Sequence, residues 1–140
     1  MENKQRVSFL EGSPWEGVSA SSALVVVGDH CYLSAVSPVQ ASGEVVALAD
    51  PYQQTKFTIM KIVDILNKQG FFLEDIVRLR LYVIDIGRWN EYTRALREFF
   101  DKVRPALTIF ETARLRDPRF MLEIEAEAVK GGMKGEIKDL

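Results

Sequence analysis

The run Leu122-Glu123-Ile124-Glu125-Ala126-Glu127-Ala128 constrains this chain more than any other stretch. Successive strand side chains point to opposite faces. A strand over 121–128 therefore puts Leu122, Ile124, Ala126 and Ala128 on one face and Glu123, Glu125 and Glu127 on the other. Residues 76–84 alternate in the same way, with Val77, Leu79, Leu81 and Val83 on one side and Arg78, Arg80 and Tyr82 on the other. If both apolar faces turn toward one core, the arginines come close to the glutamates. Such a polar face is either solvated or covered by other subunits so that it lines a cavity, and spacing alone leaves both readings open.

The core needs a second layer, and two helices supply it. Asp50 is placed to cap, Pro51 suits the first helical position and Gln53 stands where a capping box puts its side chain. Ile59, Ile62, Val63 and Leu66 then keep the spacing of one buried helix face, and Gly70 ends it. A second helix is predicted from about Gly87 to Asp101, with Trp89, Tyr92, Leu96, Phe99 and Phe100 as its apolar stripe and Pro105 barring continuation. Residues 23–27 and 30–36 are β-rich runs separated by Gly28-Asp29, a two-residue hairpin signal. Residues 5–9 and 106–112 read as further strands. The order β-β-β-α-β-α-β-β predicts an α+β fold, a mixed sheet with two helices on one face.

At 140 residues, residues 1–129 form one domain, and the glycine- and lysine-rich segment 130–140 is expected to be a flexible tail. A hydrophobic fraction of 47% with 27% charged residues suits a folded, soluble chain. The net charge of −2 gives no basic footprint for nucleic acid. The apolar runs are too short for a membrane span, and no secretory leader is visible, so a cytoplasmic protein is expected. Cys31 is the single cysteine, which excludes an intrachain disulfide. His30 is the single histidine and is adjacent to Cys31, so in a strand the two point apart and cannot easily share a metal or form a catalytic pair. No metal site is expected. Ser21, Ser22 and Ser34 read as turn and strand residues, and Trp89 reads first as core. Same-face glutamates two residues apart stand roughly 7 Å from each other. Like charges at that distance raise a pKa and a nearby arginine lowers it, so one of Glu123, Glu125 and Glu127 can serve as a general acid or base.

The ordered motifs are specific as a set. Asp50-Pro51-Tyr52, Gln54 and Thr55 open the first helix, and Leu73-Glu74-Asp75-Ile76-Val77 leads to Tyr82-Val83-Ile84-Asp85. Glu98-Phe99-Phe100 precedes Arg104-Pro105-Ala106, then Glu111-Thr112-Ala113-Arg114-Leu115 and Glu123-Ile124-Glu125-Ala126. From about Pro14 to Val129 this succession resembles the RidA/YjgF family, also called endoribonuclease L-PSP. The resemblance implies a chorismate-mutase-like fold, a homotrimer and clefts between subunits. It also implies hydrolysis of reactive enamines and imines to a keto acid and ammonia, with no metal or organic cofactor. In the family an arginine grips the substrate carboxylate and a glutamate on the last strand orients water.

Carried across, Glu123 matches that glutamate and Ser34 matches a cleft serine. Trp89 replaces an aromatic at the cleft rim. Ala35 stands where a cleft glycine is expected, and Ser21 stands in place of a tyrosine. The arginine position after Pro105-Ala106 holds Leu107, so the pocket is more apolar and favours a substrate larger than, or lacking the α-carboxylate of, the small 2-imino acids. Arg104 and Arg114 are the nearest candidates to replace the lost cation. Two functions follow as expectations: a C–N hydrolase using Glu123, or a non-catalytic module binding a small metabolite in the inter-subunit cleft. A ribonuclease role fits the acidic balance poorly, and a chaperone-like role has no sequence signature.

Overall fold

The computed structural model describes residues 5–131 and 135–140. Residues 132–134 of the expected tail lie outside the described residues. The strands are β1 (Arg6–Phe9), β2 (Leu24–Val27), β3 (His30–Val36), β4 (Ile76–Val83), β5 (Ala106–Glu111) and β6 (Leu122–Val129). They form a six-stranded sheet in the order β1-β2-β3-β6-β4-β5. Every pairing is antiparallel except β4 with β5, which makes the sheet mixed as expected. Val27 pairs with His30, so Gly28-Asp29 is the predicted two-residue turn, and Gly28 takes a φ of 57° that suits glycine.

The main helices are α2 (Pro51–Asn67) and α3 (Trp89–Phe100), preceded by a short α1 (Pro14–Ser19) that periodicity did not predict. The Asp50 carboxylate accepts the Gln53 amide N–H at 3.0 Å, as a cap should. At the other end Gly70 (φ 78°) lets the Phe71 N–H reach the Leu66 carbonyl at 3.1 Å and the Gly70 N–H reach Asn67 at 3.1 Å. This six-to-one and five-to-two pair of bonds closes the helix. Ile59, Ile62 and Leu66 join Tyr92, Leu96 and Phe100 over Leu79, Leu81, Leu122 and Ile124 in one core.

Three polar residues are buried beside that apolar face: Gln54, Thr55 and Thr58. Both threonine hydroxyls donate back to carbonyls one turn earlier. Gln54 Nε2 donates to the Val46 and Arg119 carbonyls at 3.1 and 3.0 Å, and its Oε1 accepts the Met121 N–H at 2.7 Å. One side chain thereby ties α2 to two loops, including the one that leads into β6.

Two expectations are corrected here. Val77 is 41% exposed, because the β4–β6 register slips between Ile76 and Arg78 and Ile76 takes the buried place instead. Trp89 is not core: it opens α3 and is 45% exposed.

Candidate active site

The predicted carboxylate face exists, but its three members have different surroundings. Tyr82 pairs with Glu123, Arg80 with Glu125 and Arg78 with Glu127 across β4 and β6. Arg80 Nη1 lies 3.3 Å from both Glu125 and Glu127, and the Tyr82 hydroxyl donates to Glu125 at 2.7 Å. Phe110 of β5 packs edge-on against Tyr82, with ring centroids 4.7 Å apart. Glu125 and Glu127 are therefore occupied by a cation and a phenol in a half-exposed setting.

Glu123 differs: it is only 6% exposed. Its Oε2 accepts one hydrogen bond, from Ser37 Oγ at 3.1 Å, and lies 3.9 Å from Arg116 Nη2. Burial raises its pKa above the ordinary 4.5, while the Ser37 hydroxyl and the Arg116 charge pull it back. A buried carboxylate with a raised pKa, whose Oε1 accepts no hydrogen bond among the described residues, is equipped to take and return a proton.

A bulge in β3 creates this arrangement. Leu33 pairs with Ala126 but Val36 with Ile124, so Ser34 and Ala35 together oppose the single residue Glu125. Strict alternation would turn Val36 toward Glu123. The extra residue keeps Val36 in the core and brings Ser37 to Glu123 instead. Ser37 was not among the predicted site residues, although the adjacent apolar pair Ala35-Val36 was the available sign of a break in alternation. Lys61 of α2 holds the next turn by donating to the Val39 carbonyl at 2.9 Å.

Ser34 and Ala35 are exposed on the bulge, and Ser34 Oγ donates to the Ser22 carbonyl at 2.7 Å. Ser34 also lines a hollow of about 280 Å³ with Tyr32, Val25, Arg80, Glu125 and Glu127. Leu107 lies elsewhere. It pairs with Leu79, a core residue, so it shares the helix side of the sheet, at the edge strand. There it lines a mostly apolar cavity of about 370 Å³ with Leu79, Leu96, Phe100, Arg104 and Pro105. Leu107 and Glu123 are two strands and three β4 positions apart, roughly 14 Å by strand spacing, so one chain does not bring them together. Ala106 begins β5 and is exposed.

Arg104 turns back on its own loop, its Nε donating to the Asp101 carbonyl at 2.9 Å. Arg114 is exposed in the β5–β6 loop, where its carbonyl accepts the Thr112 hydroxyl. Neither arginine approaches Glu123 within the chain. The arginine that does is Arg116, whose guanidinium stands 5.5 Å from the Trp15 ring of α1. Cys31 is buried, which pushes its thiol up to about 12, while His30 is half-buried at the other face of β3. Among the described residues no helix is long and apolar enough to cross a membrane.

The comparisons with known proteins agree with this fold. An uncharacterised protein of Streptomyces coelicolor is 29% identical over 125 residues, covering 87% of this chain and 90% of that one. A RutC family protein of Pyrococcus abyssi is 27% identical, covering 90% and 98% respectively. The crystal structure of a YjgF/YER057c/UK114 family member from Mycobacterium tuberculosis superimposes with a TM-score of 0.78 at 30% identity, covering 89% of this chain and 99% of that one. The sequence profile of the endoribonuclease L-PSP family matches residues 17–130. The protein belongs to the endoribonuclease L-PSP family, the RidA/YjgF proteins.

Proposed function

We propose that the protein is a cytoplasmic homotrimeric hydrolase of an imine or enamine other than a simple 2-imino acid, with Glu123 as its catalytic residue. The observation that carries this reading is the Glu123 carboxylate, 6% exposed, with Ser37 its one hydrogen-bond donor among the described residues. An enamine first tautomerises to its imine. Glu123 takes a proton from water as the water oxygen bonds to the imine carbon. The C=N π pair moves to nitrogen, which takes up a proton from solvent, giving a carbinolamine. Glu123 then returns its proton to that nitrogen, the C–N bond breaks as the carbinolamine hydroxyl gives up its proton to solvent, and a carbonyl and ammonia leave. No metal or cofactor enters this sequence.

The trimer is supported by what single chains leave uncovered. Edge strand β5 exposes Leu107 and Phe110, at 44% and 41%, and the sheet face away from the helices exposes Tyr32 at 46%. Exposed apolar groups on a sheet edge and face are what a second copy covers. A neighbouring copy also overcomes the distance between Leu107 and Glu123, because a cleft between subunits can use Leu107 from one chain and Glu123 from the next. Leu107 and the apolar cavity beside it favour a substrate with an apolar substituent.

The test is decay of imines generated by an amino-acid oxidase, followed with the natural protein, Glu123→Gln and Leu107→Arg. Turnover is expected on imines with a bulky apolar substituent, abolished in Glu123→Gln with the trimer intact by light scattering. Normal turnover in Glu123→Gln would sink the reading, and a stable monomer would remove the cleft. The second reading, a non-catalytic metabolite-binding module, is favoured by the lack of a cation at Leu107. It predicts a melting temperature raised by ligands with no turnover of any imine.

A further inference from the structure

We propose that Arg116 recognises an anionic group of the substrate beside Glu123, with the Trp15 ring as the shelf that holds its guanidinium. This inference rests on the reading of Glu123 as the reacting centre and adds the substrate class: imines with an acidic group at one end and an apolar body at the other.

The loop that carries Arg116 contains its own control. One and three residues on, Asp117 and Arg119 form a committed pair, with guanidinium-to-carboxylate distances of 2.7 and 3.0 Å, and the Asp117 carboxyl is held down at about 2 by that partner. Arg116 makes no such commitment. Its nearest carboxylate contact, to Glu123, is 3.9 Å, beyond hydrogen-bonding distance, and among the described residues its N–H groups donate to no protein acceptor. An arginine offers five donors in a planar fork that matches a carboxylate or phosphate. Here those donors are unspent, at the mouth of a buried carboxylate that needs a substrate. The Arg116 side chain is half exposed, so a ligand can reach it.

Its placement is fixed from the other side by α1. Ser13 caps that helix by accepting the Trp15 N–H at 3.2 Å, and Glu16 accepts the Glu11 and Gly12 N–H groups at 2.9 and 3.0 Å. The helix presents Trp15 to Arg116 at 5.5 Å, within the range where an aromatic face attracts a guanidinium. This attraction favours that placement of the fork without consuming a donor. The missing cation at Leu107 is thereby replaced from a different element, the β5–β6 loop instead of β5. An acid gripped at Arg116 leaves the apolar cavity at Leu107 of the neighbouring copy for the remainder of the molecule.

The experiment measures binding of 4-methyl-2-oxopentanoate, used as an anion with an apolar body, and of its methyl ester, by calorimetry on the full-length protein. Arg116→Ala should weaken binding of the acid by about tenfold to a hundredfold, the loss expected for one charge-assisted hydrogen-bonded contact. Arg116→Lys should recover part of that loss, and the ester should bind weakly and equally to all three proteins. Acid binding unchanged in Arg116→Ala, equal losses for acid and ester, or no binding of the acid by the natural protein would each overturn the inference. Glu123→Gln is included to separate the two readings. If it retains acid binding that Arg116→Ala loses, Arg116 stands as the anion site even where no imine is turned over. Unchanged circular dichroism of the Arg116 variants excludes misfolding as the cause.

Discussion

The two faces of the sheet are made from the same strands by different physics. Toward α2 and α3, strands β4 and β6 present Leu79, Leu81, Leu122 and Ile124, each no more than 1% exposed, and removal of apolar surface from water holds them in place. Away from the helices the same strands present Arg80, Tyr82, Glu125 and Glu127, joined by hydrogen bonds and ion pairs at 2.7 to 3.3 Å while still partly wet. Glu123 belongs to neither regime. It lies on the polar face yet is as buried as much of the core, with one hydroxyl donor and a distant arginine. The comparison teaches that stability is concentrated under the helices, and that the unmet electrostatic demand is concentrated at one end of β6.

The largest effect that can break this comparison is a cavity under the helices. Leu81→Ala removes a side chain with 0% exposure and should cost about 2–5 kcal/mol in urea unfolding. Thr108→Ala, on exposed β5 opposite Arg80, should stay within about 0.5 kcal/mol. Comparable losses at both sites would show that burial does not separate the faces. Next in size is Gln54→Ala, which leaves the Met121 N–H and the Val46 and Arg119 carbonyls without their partner. A loss of about 1–3 kcal/mol is expected from the same measurement, and Met121 amide exchange should accelerate.

The helix-covered face was legible in the sequence almost residue by residue, because burial imposes periods of two and 3.6 that composition displays directly. Ile59, Ile62 and Leu66 lie where helical spacing put them, and Leu79, Leu81 and Ile124 lie where alternation put them. The failures occur where the backbone departs from regular geometry. Val77 was assigned inward by strict alternation, and a slip of register turned it out. Helix α1 spans six residues and buries none, so no apolar period marks it. Spacing made the polar face legible as a set of carboxylates, and only the family resemblance chose Glu123 among them. Glu123 is singled out by the Ser34–Ala35 bulge that delivers Ser37, and by a loop that returns Arg116 from 7 positions earlier in the chain. The loop is a tertiary fact with no local pattern, and the bulge leaves only the adjacent apolar pair Ala35-Val36 as its sign.

Glu123 supplies a smaller effect of opposite sign. Its folded-state pKa is raised above the ordinary 4.5, chiefly by burial. Below that ordinary value the carboxyl is protonated in both folded and unfolded chains and carries no penalty. As pH rises, the unfolded chain releases its proton first, the folded state binds more protons than the unfolded one, and stability falls. Glu123→Gln removes the charge and should therefore raise the melting temperature relative to the natural protein at pH 7–8. The gap should close as the pH falls below the ordinary carboxylate range. A gap that widens on acidification would show that Arg116 and Ser37 outweigh burial and that the carboxylate is an ordinary paired ion.

The smallest effect expected for an isolated chain is at Arg80, and it bears most on whether the open face stays open. Its guanidinium is about a third exposed, at 37%, and its two carboxylate partners are nearly as wet. Ion pairs so placed are screened by solvent and contribute little, and Arg80→Ala leaves behind two glutamates that water can hydrate. In a chain whose polar face meets only solvent, the denaturation midpoint of this variant should match that of the natural protein at every protein concentration. In the proposed trimer the same face is covered, Glu125 and Glu127 lose that hydration, and removing their cation leaves charges uncompensated at an interface. The midpoint should then fall, and the natural protein's own midpoint should rise with concentration, because assembly stabilises only the folded chain. Measuring both proteins at two widely separated concentrations distinguishes the cases. A null result at Arg80 at both concentrations would leave the open face solvated and would return the apolar exposure of Leu107 and Phe110 to a single wet chain.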